Sequence, residues 1–100
     1  MTLTTILATV TMYTARETCK DGLHSNCITA SGEPPISGMS AACPRRLKFG
    51  TIFFYEGRMF ICLDRTAKKY DGRFDLYSGS FDEAIRFGKK ENKEITILSL

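Results

Sequence analysis

Apolar residues in this 100-residue chain recur mostly at every second position, and only one short stretch carries the signature of a helix. Ile6, Ala8, Val10 and Met12 alternate with Leu7, Thr9, Thr11 and Tyr13. A period of two, in a segment rich in Thr, Ile and Val, predicts a long strand with one apolar face over residues 3–14. Residues 51–55 and 58–63 are two further apolar runs separated by Glu56-Gly57, which predicts a tight hairpin. Residues 73–77 form a short strand, and residues 93–98 alternate again at the C-terminal end. Ser80 and Glu83 have the spacing of a capping box, and Gly88 is a natural stop. One short helix is therefore expected near residues 80–88. Residues 15–40 hold glycines, adjacent prolines and serines, and read as a long loop with at most short strands. Strand, loop, hairpin, loop, strand, helix, strand is the order of a small barrel, not of a parallel sheet flanked by helices.

Bulk properties bound the rest. One hundred residues make one domain, expected to be a monomer. A net charge of +3, with Asp64, Asp71 and Asp75 interrupting the arginines and lysines, argues against a nucleic-acid surface. Nothing apolar is long enough to span a bilayer. Met1 is followed by Thr, Leu and Ile without a basic segment, so no leader is visible.

Cys19, Cys27, Cys43 and Cys62 permit two disulfides in three pairings. Cys19 and Cys27 are expected to close the ends of one loop; oxidation follows the compartment, and the missing leader argues for reduced thiols during synthesis. Alternation places Cys62 and Asp64 on one strand face. The single histidine, His24, has no finger-like spacing to the cysteines and is read as an exposed loop residue; no metal and no cofactor are expected.

The carboxylates are the groups best placed for chemistry. Asp75 lies between Phe74 and Leu76, so alternation turns it to the face opposite them. Asp64 ends a strand at a loop edge. A half-buried carboxyl beside a second one has its pKa raised, which suits a general acid. An aspartate that simply faces water, or pairs with Arg73 or Lys69, is the ordinary alternative.

Taken in order, several segments resemble one family. They are Val10-Thr-Met-Tyr-Thr14, Ile28-Thr-Ala-Ser-Gly32 with Pro34, Phe49-Gly-Thr51, Asp64, Arg73-Phe-Asp-Leu-Tyr77, and the Glu83-Ala helix. The set, over residues 8–98, resembles the three-aspartate (3D) domain of double-psi β-barrels, which is related to the catalytic barrel of membrane-bound lytic murein transglycosylase A. The eleven-residue step from Asp64 to Asp75 is also the family's step between its second and third aspartates.

The resemblance implies a six- to seven-stranded double-psi barrel that acts on peptidoglycan glycan strands. It implies cleavage of the MurNAc–GlcNAc β-1,4 bond to give 1,6-anhydro-MurNAc, at the bacterial cell wall, a phage gene being one source. Asp75 falls on the family's acid/base and Asp64 on its electrostatic partner. Tyr13, Thr29 and Arg65 are candidate sugar contacts. Cys43, in Ala41-Ala-Cys-Pro44, stands where the family has its first aspartate, which together with Cys62 on the Asp64 face implies that Cys43 and Cys62 lie near each other; the loop from Asp64 to Asp71 lacks the family's two glycines. These departures keep a second reading open: a glycan-binding or phage structural module on the same barrel.

Overall fold

The computed structural model describes residues 1–19 and 27–100. His24 lies outside the described residues. Six strands close into one barrel: β1 (Thr2–Tyr13), β2 (Ser40–Cys43), β3 (Ile52–Tyr55), β4 (Arg58–Arg65), β5 (Phe74–Tyr77) and β6 (Lys90–Ser99). Among the described residues two α-helices accompany them, a single turn α1 (Ala15–Thr18) and α2 (Phe81–Phe87).

Around the barrel the order is β1-β5-β2-β4-β3-β6. β1 runs parallel to β5 and β2 parallel to β4, while every other neighbouring pair is antiparallel. Exchanging strands 1–3 with strands 4–6 returns the same order and the same directions. The barrel therefore has a quasi-twofold arrangement centred on the β2/β5 and β3/β6 contacts, as expected of a double-psi topology. Closure leaves no free sheet edge.

Inside, Val10, Phe53, Phe60, Phe74, Leu76, Ile95 and Ile97 pack with Ala41 and Cys62 into the main core. Ile6, Ala8 and Met12 join from β1, on the face that alternation assigned to the apolar side. Phe53 anchors the centre, its ring 4.8 Å from that of Phe74 and 5.4 Å from that of Phe60. The β3–β4 hairpin turns on Glu56 and Gly57, both at positive φ, the requirement of a two-residue reversal.

The helix at residues 81–87 starts and stops as the sequence predicts, with the Ser80 hydroxyl accepting the Glu83 amide and Gly88 at φ 68°. Its carboxylate differs from the expectation. Glu83 accepts from the Ser78 hydroxyl, which in turn accepts the Ser80 amide, so a serine is inserted into the capping box.

Two further features depart from the sequence reading. β2 was not anticipated as a strand. All four of its residues are buried, so Ser40-Ala-Ala-Cys43 shows no alternation and no bulky β-former. The second is a bulge in β4: Ala41 sits opposite Cys62, but Ala42 sits opposite Asp64. Leu63 is the extra residue, and it turns Asp64 to the face opposite Cys62. The expectation that Cys62 and Asp64 share a face is thereby corrected. The expected neighbours nevertheless pair: Cys43 bonds Cys62, with Cα atoms 5.6 Å apart, and Cys19 bonds Cys27.

Candidate active site

One row of residues crosses four strands on the face away from the core. Thr11 on β1 lies opposite Asp75 on β5, Asp75 opposite Ala42 on β2, and Ala42 opposite Asp64 on β4. The two aspartates thus flank one alanine, with Cα atoms roughly 10 Å apart from two strand spacings. Both are half-buried. Asp75 reaches this face by alternation, while Asp64 reaches it only through the bulge.

Tyr13 and Tyr77 pack beside Ala42 on the same face, their rings 5.3 Å apart and edge to face. The Tyr13 side chain starts on β1 and reaches β4, where its hydroxyl donates to Asp64 Oδ2 at 2.9 Å. This span requires a small residue at position 42, which is 2% exposed and supplies only a methyl group.

Three donors converge on Asp64. Besides Tyr13, the backbone amides of Ala30 and Arg65 donate to Oδ1 at 3.0 and 2.9 Å. The Ala30 contact fastens the 29–33 turn onto the end of β4, where the Ser31 amide also donates to the Leu63 carbonyl. Asp64 thereby ties together β1, β4 and that turn. Asp75 accepts the Thr11 hydroxyl at 2.9 Å.

Burial, then the charge and hydrogen bond of Asp64, then the charges of Asp75 and Tyr77, push the Tyr13 phenol well above its usual value. Tyr13 therefore stays protonated and remains a donor throughout the neutral range. Burial also raises Tyr77.

The other sequence-derived candidates divide. Thr29 is 5% exposed, and its hydroxyl donates to the Glu33 carbonyl at 2.7 Å and bonds Ser31, so it builds the turn that Asp64 holds. Arg65 stands opposite Cys43, and its guanidinium donates to the Leu47 carbonyl at 2.7 Å and stacks on Phe49 at 4.0 Å. Its head group turns to the 47–49 segment, and only its amide serves Asp64. Cys43, which the sequence resemblance set against an aspartate, faces the core and is bonded to Cys62, so the row carries Asp64 and Asp75 with Ala42 between them. Thr11 was not singled out in the sequence. In a strand with threonine at positions 2, 4, 5, 9 and 11, nothing marks one of them.

The loop after Asp64 is also rebuilt. A 3-10 turn at Lys68–Tyr70 fills it, and Asp71 accepts the Arg45 amide at 2.9 Å. Arg73 folds over the Tyr70 ring at 4.1 Å. Among the described residues no cluster of three or more His, Cys, Asp or Glu has the arrangement of a metal site. No helix among them is long and apolar enough to cross a membrane.

No family model and no curated protein matches the chain in sequence. The barrel is similar in fold to MltA from E. coli. The solved structure of MltA superposes over 73% of this chain with a TM-score of 0.57 and 22% sequence identity. The chain spans about a quarter of MltA, 27% of its length. At that identity the likeness is one of fold, and it agrees with a divergent MltA-like barrel. No family model carries the three-aspartate name onto the chain.

Proposed function

We propose that the protein is a lytic enzyme of peptidoglycan, with Asp75 as its single acid/base. The observation that carries this reading is the row itself. Two aspartates share one half-buried face of an MltA-like barrel, and each accepts a side-chain hydroxyl from β1.

A lone carboxyl suffices for the lytic route. Asp75, protonated, gives its proton to the glycosidic oxygen as the bond from that oxygen to C1 of MurNAc breaks. The 6-hydroxyl of the same sugar then bonds to C1, and its proton returns to Asp75. No water is consumed, and the products are a free 4-hydroxyl and a 1,6-anhydro sugar. A hydrolase needs a second carboxylate free to activate water or to attack. Asp64 is poorly suited to either task, because three donors already occupy it. In this reading Asp64 supplies fixed negative charge near the positive charge developing at C1, and holds the 29–33 turn as one wall of the groove.

The second reading is a glycan-binding module. It is favoured by the Cys43–Cys62 bond in the place of a family aspartate and by the rebuilt loop after Asp64. Incubation with purified murein sacculi, followed by mass analysis of the soluble fraction, separates the two. Release of anhydro-muropeptides supports the lytic enzyme. Muropeptides with reducing ends, or co-sedimentation without release, overturn it.

A further inference from the structure

We infer that the cleft bounded by the β3–β4 turn, the 37–38 segment and helix α2 binds the peptide stem of peptidoglycan, with a stem carboxylate on Arg58 and a stem ammonium on Glu83. The choice of ligand rests on the peptidoglycan reading above, and the site is additional to the aspartate row.

The cleft has a volume of about 400 Å³, within the range of small-ligand sites. Its base is apolar. Phe60 and Leu76 are buried there, and Met12 reaches it from β1. Tyr55 and Phe87 line it with their rings edge to face, 6.3 Å apart. The rim is charged, with Glu56, Arg58 and Glu83 exposed around it.

Both signs of charge line one cleft, yet among the described residues no ion pair joins them; the ion pairs there are Arg45–Asp71 and Lys89–Glu91. Neutral groups hold the rim charges instead. The Arg58 guanidinium donates to the Gly38 carbonyl at 3.1 Å and lies 5.7 Å from the centre of the Phe60 ring. Gly38 permits this approach, since a Cβ there would meet the guanidinium at 3.0 Å and its φ of 76° suits glycine. Glu83 accepts the Ser78 hydroxyl at 2.5 Å. Burial, and then the charge of Glu56, hold the Tyr55 phenol above its usual value, so it brings no further negative charge.

Fixed charges of both signs around an apolar base match a ligand that carries carboxylate and ammonium groups on a short aliphatic frame. A neutral sugar offers neither charge. A peptide stem offers both: carboxylates, and the free amino group of a diamino acid. It hangs from the lactyl group of MurNAc, and the placement of the cleft suits that attachment. Tyr77, which also lines the cleft, is two residues beyond Asp75 on β5, about 7 Å along the strand.

The test is isothermal titration calorimetry of the intact protein with N-acetyl-L-Ala-γ-D-Glu-L-Lys, and with the same peptide acetylated on its lysine amine. Wild type should bind the first peptide about three- to tenfold more tightly than the second, the modest end for charges that stay partly wet. Glu83→Gln should bind both alike, at the weaker level. Arg58→Gln should weaken both by about three- to tenfold, and Arg58→Lys should recover part of the loss. Each variant should melt near wild type, because glutamine keeps an oxygen for Ser78 and Arg58 is exposed.

A wild type that binds neither peptide, equal affinity for the two, or a Glu83→Gln protein that still discriminates between them overturns the inference. The peptide carries no glycosidic bond, so its binding is read apart from cleavage. Peptide binding of this pattern without release of anhydro product from sacculi overturns the lytic reading and supports this site. Release of anhydro product by a protein that ignores the peptide overturns this site alone.

Discussion

Removing the Tyr13 hydroxyl should cost stability at neutral pH and progressively less as the pH rises above about 10. At neutral pH, Tyr13→Phe takes one donor from Asp64 and leaves Oδ2 to water, because the aspartate is half-buried. A hydrogen bond to a charged group contributes about 1.5–3 kcal/mol, and partial exposure of Asp64 favours the lower end. For a domain of this size that is a fall in Tm of about 6–12 °C.

The folded state holds the Tyr13 proton more tightly than the unfolded chain does, whose phenol titrates at its usual 10.0. This contribution is fully present below about pH 10 and declines as pH rises toward the folded value, by about 1.4 kcal/mol per unit for one proton. Over about two units above pH 10 the wild type therefore loses about 2–3 kcal/mol that the phenylalanine variant does not lose. Tyr55 and Tyr77 are also raised, but both proteins contain them, so their share cancels in the difference. Urea denaturation of both proteins from about pH 7 to 12 measures this directly. The gap should narrow above about pH 10 and close near about pH 12. A gap that stays constant across that range refutes the coupling of Tyr13 to the buried carboxylate face.

Two other perturbations probe the frame of the site. Cys43 and Cys62 are 19 residues apart, so the Cys43→Ala/Cys62→Ala protein should lose about 3 kcal/mol from loop-closure entropy. Calorimetry should then show a Tm lower by about 12–24 °C; a drop of only a few degrees contradicts a structural role for that bond. Ala42→Leu puts an isobutyl group where Tyr13 crosses to Asp64, so it should cost about 1–3 kcal/mol. It should also bring the Tyr13 phenol back toward its usual titration, seen in phenolate absorbance, and an unchanged Tyr13 titration contradicts the crossing.

Much of this architecture was legible in the sequence, and the parts that were not share a cause. Strands with one wet face announce themselves by alternation, as β1 does through Ile6, Ala8, Val10 and Met12. β2 has no wet face, and its small buried residues look like a continuation of the preceding loop. That Cys43 and Cys62 lie near each other was anticipated, yet part of the supporting argument fails, because Leu63 bulges and sends Asp64 to the opposite face from Cys62. A bulge is one residue of extra backbone with no side-chain signature, so counting along the strand misses it. Asp75 stood out as a carboxyl between Phe74 and Leu76. Thr11 did not, because its bond to Asp75 depends on the register with β5, which alternation along β1 does not reveal.

The central claim is that Asp75 carries the proton in a lytic cleavage. The most direct measurement compares wild type with Asp75→Asn on purified murein sacculi, with products identified by mass. Asparagine preserves size and hydrogen bonding but neither gives nor takes the proton, so the rate should fall about 100- to 10,000-fold while the Tm stays near wild type. The wild-type products should be 1,6-anhydro-muropeptides. Release of those products by Asp75→Asn at the wild-type rate contradicts the account.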